Sequence, residues 1–93
     1  MNFKEMAAQT FDELSNIIIE SESGSGFVKI KSNGLGEIKE ILVEDNELVK
    51  QDIPMLLSLI KISLNISNVK RTEKEKEVFD RFVLKYKDDL FKQ

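Results

Sequence analysis

All four glycines of this 93-residue chain fall between positions 24 and 36, and its single proline is Pro54. From Met55 to Gln93 neither residue recurs, so nothing in the backbone chemistry interrupts a helix there. The chain is divided in advance into a segment able to turn sharply and a segment that reads as one long helix, or as two helices with a soft joint near Thr72. The glycines either cradle a phosphate or turn a sheet. Gly24-x-Gly26 and Gly34-x-Gly36 do not complete a G-x-G-x-x-G, and neither ends in the Gly-Lys-Ser/Thr of a Walker loop. A phosphate loop also feeds directly into a helix N-terminus, whereas these segments feed into strands. They are therefore expected to supply positive φ at two successive turns of a meander.

Residues 1–16 read as a short helix, because Phe3, Met6, Ala7, Phe11 and Leu14 recur at helical spacing. Ile17-Ile18-Ile19 favours a strand that stops at the Ser-Glu-Ser-Gly-Ser-Gly cluster. A second strand, Phe27 to Ser32, alternates Val28 and Ile30 with Lys29 and Lys31 before Asn33-Gly34 turns the chain. A two-residue loop would oppose Val28 with Lys39 and Ile30 with Glu37, setting charge against the core. A four-residue loop, 33–36, opposes Val28 with Ile41 and Lys29 with Glu40, and is the expected one. After a third strand, Ile38 to Glu44, a polar connector leads to Asp52-Ile53-Pro54, an N-cap followed by a proline in the first turn. The expected fold is α+β in a single domain: an N-terminal helix (1–16), a three-stranded antiparallel meander (17–45) and a helical region (52–92), in the order α-β-β-β-α.

With no cysteine and no histidine, the chain has no disulfide framework, no thiolate or imidazole metal ligand, and no Cys-His or Ser-His-Asp apparatus. Only carboxylate chemistry survives, and Glu37 and Glu40 are placed on opposite faces of the third strand, so they form no shared acid-base pair. No enzyme activity, metal or cofactor is expected. The opening MNFKEMAAQTFDEL carries acidic residues and no long apolar run, and no stretch approaches the length a bilayer needs. A soluble intracellular protein with no membrane partner and no small-molecule substrate is expected. The net charge of −3 gives no global pull toward nucleic acid. Its distribution is uneven: residues 1–27 carry one lysine against five carboxylates, whereas residues 70–93 carry eight basic against six acidic side chains.

A chain of this length has only a modest core, which bears on the helix after Pro54. At about 100° per residue, Leu56, Leu57, Ile60 and Leu64 form one apolar stripe, and Met55, Leu59, Ile62, Ile66 and Val69 form another on nearly the opposite side. A helix apolar on two sides is buried on two sides. A three-stranded sheet covers one stripe, and the second is read as a homodimer interface. The alternative is that the terminal helices fold back and complete the core within one chain. Lys61, Asn65 and Asn68 line a polar strip between the stripes. Farther on, Phe79, Phe82, Val83, Tyr86 and Leu90 make an apolar face, while Lys70, Lys74, Arg81, Lys85 and Lys92 fall within an arc of about 60° roughly opposite it. Such a stripe can track a phosphate backbone, each contact releasing counterions. Glu77 and Asp88 share the arc, spaced to pair with Arg81 and Lys92, so a self-neutralised solvated face is the other reading.

The stretch SGSGFVKIKSNGLGEIKEILVEDNELV, followed by a helix carrying SLNISNVKR, resembles the YbaB/EbfC family of bacterial nucleoid-associated proteins. The matching positions are Gly24 and Gly26, the strand residues Val28 and Ile30, Asn33-Gly34, then Ile41 and Val43 followed by Glu44 and Asp45, and Asn65 in the helix. They cover about residues 16–75. The resemblance implies an α-β-β-β-α chain that dimerises, with protruding helices that grip duplex DNA like a tweezer, with little sequence preference, at the nucleoid in the bacterial cytoplasm. The chain departs from the pattern in a short first helix with one lysine, and in a charged amphipathic C-terminus where relatives carry a Gly/Pro/Met-rich tail.

Together these readings favour a homodimer that binds duplex DNA through phosphates. The candidate DNA contacts are Lys4, Lys70, Arg71, Lys74, Arg81 and Lys85. The candidate dimer contacts are Met55, Leu59, Ile62, Ile66 and Val69. The rival reading is a dimeric interaction scaffold without the DNA grip, its acidic N-terminal half facing a protein partner and Phe79, Phe82, Tyr86 and Phe91 forming a docking face.

Overall fold

Asn2 opens the first helix by accepting the Glu5 N–H on its Oδ1 at 2.8 Å, and α1 then runs Phe3–Asn16. Three strands follow, β1 (Ile18–Ser23), β2 (Val28–Asn33) and β3 (Ile38–Val43), and after them the long helix α2 (Ile53–Phe91). The computed structural model describes residues 2–45, 47 and 51–91. Lys92 and the side chains of Phe3, Asp88, Leu90 and Phe91, which the sequence reading uses, lie outside the described residues.

The α-β-β-β-α order is as expected, and α2 is continuous through Thr72. Thr72 returns its hydroxyl to the Asn68 carbonyl at 3.0 Å, and Arg71–Glu75, Lys74–Glu77 and Lys76–Asp80 pair along the helix around it. At about 1.5 Å per residue the 39 residues of α2 extend about 58 Å, which sets the 61 Å long axis of the molecule. The Asp52 carboxylate caps it, accepting the Met55 N–H at 3.0 Å.

The sheet is antiparallel in the order β1-β2-β3. The expected β2–β3 register is corrected by two residues: Val28 opposes Val43 and Ile30 opposes Ile41, and a shift between Lys31 and Ser32 then brings Ser32 opposite Ile38. Faces are preserved because the offset is even. Asn33 causes the difference. It stays in β2, and its Oδ1 accepts the N–H groups of both Leu35 and Glu37 at 3.0 Å, while its Nδ2 donates to Glu37 Oε1 at 2.8 Å and to the Ser15 carbonyl at 3.2 Å. The side chain, as much as the glycines, builds the turn.

Positive φ occurs at Gly24, Ser25, Gly26 and Gly36. Gly34 does not share it, contrary to expectation. Its role is close approach: its N–H donates to the Leu14 carbonyl at 2.9 Å, and a Cβ there would stand 2.6 Å from that oxygen. This contact fastens the end of α1 to the sheet.

Two other expectations are corrected by the packing. Phe11 is 63% exposed, because α1 turns Met6, Thr10 and Leu14 inward instead, and the Thr10 hydroxyl is satisfied by the Met6 carbonyl at 2.9 Å. β1 continues through Ser21 and Ser23, which were expected in the turn, since Ile19, Ser21 and Ser23 alternate toward α2 and are buried by it. The core comprises Met6, Leu14, Ile19, Val28, Ile30 and Val78, joined by a seam of buried serines.

Candidate nucleic-acid interface

The rotation of α2 about its axis is set by that seam. Ser21 donates to the Ser63 carbonyl at 2.9 Å, Ser23 to the Leu59 carbonyl at 2.6 Å, Ser63 to Ser23 Oγ at 2.8 Å, and Ser32 and Ser67 share a bond of 2.7 Å. Small side chains let the helix backbone come close enough for these bonds. With Ser63 directed at the sheet, Lys70, Lys74, Arg81 and Lys85 lie within about 40° of the same direction, at about 100° per residue. The basic stripe therefore points past the sheet toward β1 and α1, on the inner side of the helix.

Each cation has a defined place. Lys70 Nζ donates to the Glu20 carbonyl on β1 at 2.6 Å, blunting that edge of the sheet. Lys74 pairs with Glu77 at 3.3 Å. Arg81 pairs with Glu13 of α1, not with Glu77 as its spacing suggested. Lys85 holds its Nζ 5.3 Å from the centroid of Tyr86, itself stacked on Phe82. Arg71 turns away from the stripe. It binds Glu75 at 2.6 Å and Asn68 Oδ1 at 2.9 and 3.2 Å, and its stem covers Gly36. Lys4 is exposed on the first turn of α1. The structure thus brings together Lys70, Lys74, Arg81 and Lys85, and leaves Arg71 and Lys4 outside the row. Four of its six candidates already hold a polar partner in the chain.

Among the candidate dimer residues, Met55, Ile62, Ile66 and Val69 are exposed, with Val69 59% accessible. Leu59 is half-buried over Gly24, where a Cβ would meet its Cδ1 at 2.9 Å. Leu57, placed in the opposite stripe, is exposed as well. A further apolar surface escaped the sequence reading. Helix α2 packs on β1 and β2 but not on β3, and all six residues of β3 are exposed. Ile38, Ile41 and Val43 share the α2 side of the sheet with Val28, Ile30 and Ser32 and lie open beside the helix. The signal was the run Ile41-Leu42-Val43, three apolar residues in a row, which alternation cannot hide on one face.

No described helix is long and apolar enough to cross a membrane. A model of the YbaB/EbfC DNA-binding family matches residues 1–85. A nucleoid-associated protein of Legionella pneumophila is 35% identical over 66 residues, covering 69% of this chain and 58% of the relative. Another from Coxiella burnetii is 37% identical over 67 residues, covering 72% and 60%, and one from Dictyoglomus thermophilum is 32% identical over 74 residues, covering 80% and 71%. The chain spans about three-fifths of the length of the Legionella and Coxiella relatives. The crystal structure of an uncharacterized Helicobacter pylori protein superposes with a TM-score of 0.70 at 25% identity, over 81% of this chain and 87% of that one.

Proposed function

The chain belongs to the YbaB/EbfC DNA-binding family, and from that premise we propose that it acts without catalysis, as a homodimer that binds duplex DNA at the nucleoid with little sequence preference. The observation that carries this reading is the row Lys70, Lys74, Arg81 and Lys85 on one side of an unbroken helix. From Lys70 to Lys85 it extends about 22 Å, long enough to follow several successive phosphates. Lysine and arginine contacts to phosphate position a protein on the duplex without reading bases, which supports low sequence preference. Two apolar surfaces favour the homodimer: the stripe Met55, Ile62, Ile66 and Val69 with Leu59 at its inner margin, and the uncovered face of β3. Exposed apolar side chains gathered on one face of a helix or a sheet fit an interaction surface.

Titration of labelled duplex DNA at low and at physiological salt, on protein whose mass is measured by light scattering, tests the reading. Salt-sensitive binding by a dimer, with similar affinity for unrelated sequences, is the expected result.

The in-chain partners of Lys70, Arg71, Lys74 and Arg81 favour a second reading, a protein-interaction scaffold docking through the region of Phe79, Phe82 and Tyr86. Phe79 and the neighbouring Leu84 are exposed. Capture of a stoichiometric protein partner that survives nuclease treatment, together with absence of DNA binding, is the result this reading requires.

A further inference from the structure

We propose that Glu13 is an intramolecular stand-in for a DNA phosphate: α1 seats its carboxylate on Arg81 in the middle of the basic stripe, and duplex DNA displaces it to gain that contact. The inference rests on the DNA-binding reading and adds a competitor within the chain. Arg81 and Glu13 form an ion pair between α2 and α1, and their side chains remain 60% and 36% exposed. The pair stands between two surface grooves. One is shared with Lys74 and Glu77 and floored by the buried Val78, the other with Gln9, Phe82 and Lys85. Glu13 is thereby the carboxylate that α1 inserts among the three basic residues of the outer part of the stripe.

Its position is fixed from the sequence upward. Leu14 and Ser15, the next two residues, are held to the sheet through the bonds from Gly34 N–H and Asn33 Nδ2, and Leu14 is buried. The backbone at Glu13 has little freedom, whereas its side chain reaches solvent. Guanidinium forms the same charge-assisted bonds with carboxylate and with phosphate, so the two compete for one donor set. An exposed pair of this kind is weak, which makes Glu13 exchangeable and its effect a graded penalty on affinity. DNA gains Arg81 only as Glu13 withdraws, and removal of the carboxylate frees one additional phosphate contact.

The test is a fluorescence-anisotropy titration of a labelled duplex between about 50 and 200 mM salt with four proteins: wild type, Glu13→Gln, Asp12→Asn and the double variant Glu13→Gln/Arg81→Gln. Circular dichroism first confirms that each is folded. Asp12→Asn removes the same charge from the neighbouring position, which points about 100° away around α1. The expected result is that Glu13→Gln binds about threefold more tightly at low salt and steepens the log–log salt slope by about one unit. Asp12→Asn then gives a clearly smaller gain, and Arg81→Gln abolishes the gain of Glu13→Gln. Equal gains from Glu13→Gln and Asp12→Asn, or no gain while wild type binds, overturn the competition and leave the DNA reading standing. No binding by wild type or by Glu13→Gln overturns both.

Discussion

The Ser63 hydroxyl, fully buried, donates to Ser23 Oγ at 2.8 Å, joining the middle of the first half of α2 to the last residue of β1. Ser23 in turn donates to the Leu59 carbonyl, so the bond belongs to a chain in which each hydroxyl has a partner. Among the described residues no buried side-chain polar atom lacks one. The seam substitutes directional bonds for apolar area, and it determines which side of α2 faces the sheet.

Ser63→Ala removes one donor and leaves little void, and is expected to lower stability by about 1 kcal/mol, the net worth of a typical hydrogen bond. Ser63→Leu places a large side chain where the helix backbone approaches the strand and is expected to lower it by about 3 kcal/mol. Urea unfolding at one fixed protein concentration gives both values. Equal effects would mean that the helix does not sit close at this point.

Gly34 and Gly26 are expected to respond differently to alanine. At Gly34 a Cβ would meet the Leu14 carbonyl oxygen at 2.6 Å, a backbone atom that cannot move without lifting α1 from the sheet. At Gly26, with φ +92°, the nearest atom is a lysine carbon at 3.5 Å, and the penalty is conformational. Gly34→Ala should therefore cost about 3 kcal/mol and Gly26→Ala about 1 kcal/mol. The same unfolding series ranks them, and the reverse order would contradict this placement of α1.

The proposed dimer predicts that Ile62→Glu with Ile66→Glu yields a folded monomer by light scattering at micromolar concentration, since both side chains are exposed within one protomer. Retention of dimeric mass would move the interface to β3, where Ile41→Glu is the corresponding variant.

Much of the fold is legible from residue type alone. The glycine-free run after Pro54 specifies α2, and the alternation of Val28 and Ile30 with Lys29 and Lys31 specifies β2 and its buried face. What escapes depends on side chains acting on backbone. Ser21 and Ser23 read as turn residues until an approaching helix gives their hydroxyls carbonyls to bind, and Asn33 reads as a turn residue until its carboxamide is seen closing the turn from within the strand. The stripe Lys70, Lys74, Arg81 and Lys85 follows from helical spacing. That it faces α1, and that Glu13 rather than Glu77 meets Arg81, depends on how two helices 68 residues apart at that contact pack together, which local spacing does not encode.

The proposed hold of the basic row of α2 on the phosphates of duplex DNA is tested by the salt dependence of binding for wild type beside Lys70→Glu/Lys74→Glu/Arg81→Glu. Wild-type affinity is expected to fall steeply as salt rises, and the triple variant to lose about tenfold or more at low salt, with a shallower slope and unchanged oligomeric mass. Equal binding by the two proteins would remove the row from the site, and absence of binding by wild type at low salt would rule out DNA as its ligand.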